Sequence, residues 1–286
     1  WLLHKSLAER SAMTSRHANS LTSSGRCYLV GAGPGDPELL TIKAFKLIQS
    51  ATLLLVDDLV SAEIVKLASP KTRVIAVGKR GGRESTSQEF IEKLMIMAAR
   101  QGEVVVRLKG GDPFIFGRGG EEVEHLRAAG VQVEVVNGIT AGLAAATSLG
   151  VSLTHRDHAH GVVFVTGHPK PGGVQNDWRQ LGQTAHAVGL TLVVYMGVSS
   201  VPHIQTELLA GGLPASTPVA LVQSASLPTQ QQVITQLGEM STVLASSGLG
   251  SPCVFVIGQV VQQAAISQAG LGAWQGEMQL RRTVGV

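Results

Sequence analysis

The stretch from Arg107 to Glu122, RLKGGDPFIFGRGGEE, combines five glycines with one aspartate and three basic side chains. A loop of this composition has no apolar face to bury, so packing alone does not explain it. Glycine lets the backbone approach a ligand closely and adopt positive φ without strain. The stretch follows the strand-like run Val104–Val106, and open α/β sheets bind ligands in the loops that leave the carboxyl ends of parallel strands. We therefore expect this loop to line a ligand site.

Polar side chains also follow other predicted strands. Asp57 ends the second strand, Lys79 and Arg80 end the third, and Lys109 and Asp112 follow the fourth. Each charge alone is typical of a solvated loop, but parallel strands bring these ends to one edge of a sheet. Their convergence predicts a cleft with both acidic and basic groups.

The turn Gly31–Asp36, GAGPGD, imitates a dinucleotide-binding fingerprint, with Asp57 following about twenty residues later. The match fails because Asp36 stands where the third glycine is needed for close packing of helix on strand. The turn is better explained as one that lines a ligand, and a tight turn without a ligand remains the alternative.

Three histidines lie in the segment at 154–160, THRDHAH, which invites a metal hypothesis. The C-terminal half shows no matching carboxylate motif, so we expect no metal. His155 and Arg156 instead suit an anionic substrate. The sequence contains no nucleophile elbow, phosphate-binding P-loop or zinc-protease helix, which disfavours covalent hydrolysis and phosphoryl transfer.

The elements that must position these residues alternate between strand and helix from Cys27 onward. Five strands separated by helices up to Val136 predict a parallel sheet with right-handed crossovers. A small-residue segment at 138–150 predicts a connecting helix, and a second set of strands follows it. We expect two α/β domains, a mainly parallel N-terminal sheet and a mixed C-terminal sheet, with the active-site cleft between them. The predicted boundaries are 27–137 and 138–262, with an extension or linker at 1–26 and a tail at 263–286.

Composition narrows the class of protein. The chain has 286 residues, of which 44% are apolar and 15% charged, with a formal net charge of +3. This balance predicts a globular enzyme-like chain and gives little support to a nucleic-acid partner. No apolar run reaches about 18 residues, so we expect no membrane partner. Cys27 and Cys253 are expected to be buried thiols of a reduced, cytoplasmic protein. The Ser- and Arg-rich start is either a linker or the remnant of a transit peptide, and the second alternative would place the protein in a plastid.

The chain resembles the uroporphyrinogen-III C-methyltransferases of the tetrapyrrole methylase family. The motifs GAGPGDPELLT, VGKR, VVRLKGGDPFIFGRGGEE, GITA, LTHRDHA, TGH and VVYMG stand in the family's order and span roughly Cys27 to Val261. The resemblance implies a homodimer that binds S-adenosylmethionine. It also implies two methyl transfers to uroporphyrinogen III, at C2 and C7, giving precorrin-2 for sirohaem or cobalamin synthesis.

The resemblance further implies roles for individual residues. Asp57 would be the proton acceptor and Lys79 the proton donor. The cofactor contacts would be Pro34, Gly110, Gly111, Asp112, Ile115, Thr140, Ala141, Met196 and Ala225. The carboxylates of the substrate would meet the basic residues Arg80, Lys109, Arg118, His155 and Arg156, because arginine suits bidentate contacts with carboxylates.

One segment departs from the family pattern. Ser224-Ala225-Ser226 replaces a glycine-containing run, and Ala225 stands where relatives have a glycine that contacts the cofactor. A backbone contact would survive there if φ is negative and the added methyl group is accommodated. Three alternatives stay open at this point: methylation of a later corrin precursor, a nicotinamide-dependent oxidoreductase that uses the GAGPGD turn, and a small-molecule sensor without turnover.

Overall fold

The computed structural model describes residues 25–78, 86–168 and 172–264. The predicted extension and tail lie almost entirely outside these ranges, and so do Lys79 and Arg80. The chain divides into two compact units. The N-terminal unit comprises the residues up to Ala32 together with Leu40–Gly138. The C-terminal unit comprises Gly33–Leu39 and the residues from Ile139 onward.

The N-terminal unit is built on a parallel sheet with strand order β3-β2-β4-β1-β5. Its strands are β1 (Arg26–Gly31), β2 (Leu53–Val56), β3 (Arg73–Ala76), β4 (Val104–Lys109) and β5 (Gln132–Val136). Its helices are α1 (Ile42–Ser50), α2 (Ala62–Val65), α3 (Gln88–Arg100) and α4 (Gly119–Ala128).

Two apolar layers hold this sheet, one on each face. Leu53, Leu55 and Val105 pack with α3 and α4 on one face, while Val106 and Leu108 pack on the other. The division follows from the alternation of side chains along a strand. The consequence for the site is that residues 105, 107 and 109 of β4 all point toward α3 and α4.

The C-terminal unit is built on a mixed sheet with strand order β6-β7-β10-β8-β9. Only the β6–β7 pair is parallel; the other three pairs of this sheet are antiparallel. Its strands are β6 (Gly161–Thr166), β7 (Leu190–Tyr195), β8 (Pro218–Gln223), β9 (Gln231–Gln236) and β10 (Cys253–Ile257). Its helices are α5 (Ala141–Ser148), α6 (Trp178–Val188), α7 (Val201–Ala210) and α8 (Met240–Ser247). The predicted fold class, with one parallel and one mixed sheet, is confirmed.

The element predictions differ from the structure in several places. The run from Glu38 to Gln49, whose apolar residues have helical spacing, does not form one helix: α1 begins only at Ile42, after a separate 3-10 turn at Pro37–Leu39. The sequence pattern does not predict α6 or α8. In α6 the mid-helix Gly182 lowers the helix propensity, but a Cβ there would lie 2.8 Å from the Leu208 carbonyl oxygen. Close packing against α7 therefore accounts for a residue that the local pattern disfavours.

Both cysteines are free and buried, as expected, and burial raises the pKa of each thiol to about 12. Within the described ranges, no helix has the length and hydropathy required to cross a membrane. The same part of the chain holds no group of three or more His, Cys, Asp or Glu residues arranged to bind a metal ion.

Candidate active site

The carboxyl ends of the N-terminal strands meet as predicted. Val56 of β2 pairs with Leu108 of β4, so Asp57 follows directly beside Lys109 and the glycine-rich loop. The Asp57 N–H donates to the Leu108 carbonyl oxygen at 3.0 Å. Leu59 then packs over Gly110, where an added Cβ would lie 2.8 Å from the Leu59 Cβ. The predicted edge therefore exists for the strands that the structure describes at this point.

Asp112 braces the glycine-rich loop. Its Oδ1 accepts from the Phe114 N–H at 2.8 Å, and its Oδ2 accepts from the Asn137 amide and the Gly138 N–H, each at 3.1 Å. The carboxylate is 6% exposed, so these contacts anchor the loop to the end of β5. Ile115 is half-buried, and its N–H donates to the Asp112 carbonyl oxygen at 3.3 Å.

Three glycine backbones cross beneath this loop. A Cβ on Gly138 would lie 2.2 Å from the Gly111 carbonyl oxygen and 2.8 Å from the Gly31 Cα. A Cβ on Gly31 would lie 2.4 Å from the Gly138 nitrogen. Gly111 has a φ of +67°, which L residues with side chains rarely adopt. The loop path therefore depends on glycine at these positions.

The cations of β4 are directed inward. Arg107 and Lys109 are each 3% exposed and lie against Glu122 of α4, which is 0% exposed. The Lys109 Nζ lies 3.2 Å from both carboxylate oxygens of Glu122. Burial, followed by the neighbouring Arg107, lowers the pKa of Lys109. This placement gives Lys109 a different partner from the predicted substrate carboxylate.

Arg118 keeps an exposed side chain. Its guanidinium bonds Glu121, one turn along, at 2.5–3.2 Å, and this hydrogen bond raises the pKa of Arg118. Phe114 and Phe116 are also exposed. The loop thus presents apolar and cationic side chains outward.

In the C-terminal unit, three strands that run in one direction end at one edge. Thr166 pairs with Tyr195, and Tyr195 and Gln223 pair with neighbouring residues at the start of β10. Met196 and Ser224 follow directly after β7 and β8. Met196 is 48% exposed, so its side chain is available to a ligand.

The part of the GAGPGD turn from Gly33 onward belongs to the C-terminal unit. The Asp36 N–H donates to the Ser226 hydroxyl at 3.4 Å, and Gly35 packs on Leu227. The turn therefore brings Pro34 close to the segment that contains Ala225. Ala225 is buried at 7% exposure and is not among the described residues with positive φ. The backbone conformation that a surviving contact requires is therefore present at this position.

Strained backbone is concentrated in these loops. Among the described residues, non-glycine positive φ occurs only in segments predicted to line the ligand site. The residues are Phe116, Arg118, Met196, Ser224 and Ser226, with φ between 52° and 68°. Such conformations cost roughly 1–3 kcal/mol each and persist at functional sites.

The start of α5 is held by a tyrosine hydroxyl. The Gly142 N–H donates to the Tyr195 Oη at 2.8 Å, and the Thr140 Oγ1 lies 2.8 Å from the same atom. Burial raises the pKa of Tyr195. Thr140 is buried and Ala141 is half-buried, so the backbone of this helix start is fixed in place.

The segment at 154–160, which contains three histidines, forms a mostly exposed turn. The His155 and His158 rings stack with centroids 4.5 Å apart, and the Asp157 N–H donates to the His155 Nδ1 at 3.1 Å. Arg156 is exposed.

Sequence reasoning assigned no role to Arg107, Glu122 or Tyr195. The sequence does contain a signal for Arg107. Arg107 and Lys109 alternate with apolar residues and so share one face of a buried strand. Buried charges require partners, and Glu122 lies within the same stretch of sequence.

Comparison with known proteins identifies the family of this chain. The model of the tetrapyrrole (corrin/porphyrin) methylases matches residues 26–241. The chain belongs to the tetrapyrrole methylase family, and it is a methyltransferase.

Individual relatives show which members of the family this chain is similar to. The chain is 48% identical over 254 residues to a uroporphyrinogen-III C-methyltransferase of Pseudomonas aeruginosa, covering 87% of this chain and 100% of that protein. It is 47% identical over 238 residues to an Arabidopsis thaliana protein named S-adenosyl-L-methionine-dependent uroporphyrinogen III methyltransferase, chloroplastic, covering 83% of this chain and 64% of that one. Relatives named siroheme synthase are matched over about half of their own length, for example 49% in Methylococcus capsulatus.

A solved structure shows the same fold. The uroporphyrin-III C-methyl transferase of Thermus thermophilus, crystallised with S-adenosylhomocysteine, has a TM-score of 0.71 and 43% identity. The match covers 83% of this chain and 99% of that one.

Proposed function

We propose that this chain transfers methyl groups from S-adenosylmethionine to uroporphyrinogen III, at C2 and at C7, to give precorrin-2. The observation that carries the proposal is the 48% identity along the whole of the Pseudomonas enzyme. The relatives named siroheme synthase support a place in sirohaem formation, and cobalamin synthesis is the other route implied by the sequence resemblance.

The residues present fit this cofactor. Gly110 and Gly111 are both half-buried, so part of their backbone remains accessible, while Leu59 occupies the space that a side chain at Gly110 would need. We assign the cofactor to the positions implied by the sequence resemblance, which are Pro34, Gly110, Gly111, Asp112, Ile115, Thr140, Ala141, Met196 and Ala225. When bound, S-adenosylmethionine supplies an electrophilic methyl group on a sulfonium. The protein then positions the two reactants, and such positioning can lower the activation barrier by about 7–11 kcal/mol.

Asp112 has an indirect part in this assignment. Both of its oxygens already accept hydrogen bonds from the chain. Its contribution to cofactor binding is therefore to hold Gly110 and Gly111 in place, in addition to any contact of its own.

The substrate carries many carboxylates, and exposed cations suit them. We assign Arg118, His155 and Arg156 to the substrate, together with Arg80, which lies outside the described residues. We do not assign Lys109, because its side chain is buried against Glu122. Arg156→Ala is expected to raise the KM for uroporphyrinogen III with little change in kcat, and an unchanged KM in steady-state assays would remove this assignment.

Proton transfer completes the reaction. After methylation the macrocycle is cationic and must lose a proton, and Asp57 is the proposed acceptor. Its carboxylate is 36% exposed at the sheet edge, so a substrate can reach it. Lys79 is the proposed proton donor.

Methyl transfer from radiolabelled S-adenosylmethionine to uroporphyrinogen III tests the proposal. Label is expected to enter the macrocycle, and mass spectrometry is expected to find two added methyl groups. Transfer only to a later corrin precursor, or binding of S-adenosylhomocysteine without any turnover, would refute the proposal.

The assembly and the compartment are part of the same proposal. The sequence resemblance supports a homodimer, which light scattering of the purified protein tests. The cytoplasm is the proposed compartment, and the name of the Arabidopsis relative supports a plastid as the alternative. Imaging of the tagged full-length protein in its own cells distinguishes the two.

A further inference from the structure

A buried charge cluster lies directly behind Asp57. Arg107 follows Val105 on the face of β4 that α3 and α4 cover, and its partner in β2 is Leu55. Since Asp57 lies two residues beyond Leu55, its side chain shares this face. The strand alternation therefore brings Arg107 beside Asp57, on the face of the sheet that α3 and α4 cover.

Arg107 connects two carboxylates. Its Nε lies 3.2 Å from the Glu122 Oε1, and its Nη2 lies 3.4 Å from the Asp57 Oδ2. Gln88 of α3 also donates to the Glu122 Oε1, at 2.9 Å. Lys109 donates to the same oxygen at 3.2 Å, so Glu122 is fixed in the interior by three donors. Arg107 reaches from it to the sheet edge.

Fold stability gives little reason for such a cluster. A buried ion pair can often be replaced by apolar residues without loss of stability, because desolvation offsets the attraction. The Nη1 of Arg107 is buried and has no hydrogen-bond partner among the described residues, which adds to the cost. The cluster ends at Asp57, the proposed proton acceptor, so its role is better explained by the active site than by stability.

Asp57 is held at both oxygens. The Asp58 N–H donates to its Oδ1 at 3.0 Å, while its Oδ2 faces Arg107. Together these contacts fix both side-chain torsions of a carboxylate that is otherwise partly exposed. Each oxygen retains a further lone pair, so a held carboxylate can still accept a proton.

We propose that Glu122, acting through Arg107, is a positioning residue for Asp57 in the proton-removal step, an inference that rests on the proposed function. In that step the bond between a hydrogen and the methylated macrocycle breaks. Its electron pair stays in the ring system, and the proton forms an O–H bond on Asp57. A general base acts only within hydrogen-bond reach of the proton it takes. Arg107 keeps Asp57 at that position, and Glu122 keeps Arg107 from rotating away.

The test compares Glu122→Gln and Arg107→Met with a matched control, Glu92→Gln. Glu92 is also a buried glutamate, 7% exposed, but its partner is His125, 2.7 Å away. Both test variants are expected to lower kcat by about 10–100-fold, the effect of a displacement near 1 Å. The KM for uroporphyrinogen III and the Kd for S-adenosylhomocysteine are expected to stay near the wild-type values, and E92Q is expected to keep the wild-type kcat.

Two readouts separate positioning from a general structural defect. With uroporphyrinogen III deuterated at its bridging carbons, the isotope effect on kcat is expected to rise in E122Q and R107M, because proton removal has become slower. In an Asp57→Asn background, the same substitutions are expected to reduce the residual rate by no more than about twofold, since they act through a carboxylate that is absent. If R107M does not fold, E122Q, which preserves the side-chain shape, carries both readouts.

The outcomes are distinct. Rate losses that multiply fully with Asp57→Asn, or that come with a matching loss of cofactor affinity, would overturn the positioning role alone. A wild-type protein that transfers no methyl group to uroporphyrinogen III would overturn the proposed function, and this inference with it.

Discussion

The crossing of Gly31, Gly111 and Gly138 offers a quantitative test of how the loop is built. Gly138→Ala would place a Cβ 2.2 Å from the Gly111 carbonyl oxygen and 2.8 Å from the Gly31 Cα. Contacts this short cannot be relieved by rotating a side chain, because the atoms that the Cβ meets are backbone. Overpacking typically costs about 1–3 kcal/mol, and we expect the upper part of this range. For a chain of this size the unfolding midpoint would fall by roughly 3–5 °C.

Gly120→Ala is the matched control. Gly120 lies in the first turn of α4, and an added Cβ there would meet nothing within 4 Å. Replacing glycine by alanine in a compatible helical position stabilises a protein by about 0.4–1 kcal/mol, chiefly through the unfolded state. The two glycine substitutions are therefore expected to have opposite signs.

Thermal and urea unfolding of both variants measure these effects. Calorimetric titration with S-adenosylhomocysteine adds a functional readout, because a Cβ at position 138 would displace the Gly111 carbonyl in the proposed cofactor loop. We expect the affinity of G138A to fall by at least about tenfold, equivalent to 1.4 kcal/mol. If G138A unfolds at the wild-type temperature, the glycine crossing does not constrain the loop as argued.

Three further predictions follow from individual contacts. Asp112→Ala leaves the part-buried N–H groups of Phe114 and Gly138 without their acceptor, at a cost near the lower end of about 1–3 kcal/mol each. It should therefore lower both the unfolding midpoint and the affinity for S-adenosylhomocysteine, and an effect on affinity alone in calorimetry would contradict the bracing role. The hydrogen bond with Glu92 raises the pKa of His125 above its ordinary value of 6.5. Its protonated ring thus contributes stability that is complete below about pH 6.5 and is lost as the pH rises through the folded value. His125→Gln should destabilise the protein at pH 6 and have less effect at pH 9 in urea unfolding; an equal effect at both values would exclude the ion pair. Finally, Cys27 and Cys253 should not react with a thiol reagent in the native state at neutral pH, whereas both should react in denaturant, because burial raises the pKa of each to about 12.

Much of the architecture was predictable because it depends on local patterns. Apolar, β-branched runs in the sequence coincide with β7 at Leu190–Tyr195 and with β10 at Cys253–Ile257. Alternation of these runs with helices predicts the parallel sheet. The short α8, MSTVLASS, escaped prediction because its weak helix formers give little local signal; it is held by burial of Met240 and Leu244.

The sequence by itself was sufficient to predict the family, which the comparisons confirm. Residue types, their order and their spacing also selected the glycine-rich loop, Asp57 and the GAGPGD turn as candidates for the site. Only the tertiary structure decided what those residues face. Lys109 pairs with the buried Glu122, Asp112 braces its own loop, and Arg107 connects Glu122 to Asp57. The physical reason is that the partner of a charge is set by strand register and helix packing, which join residues distant in sequence.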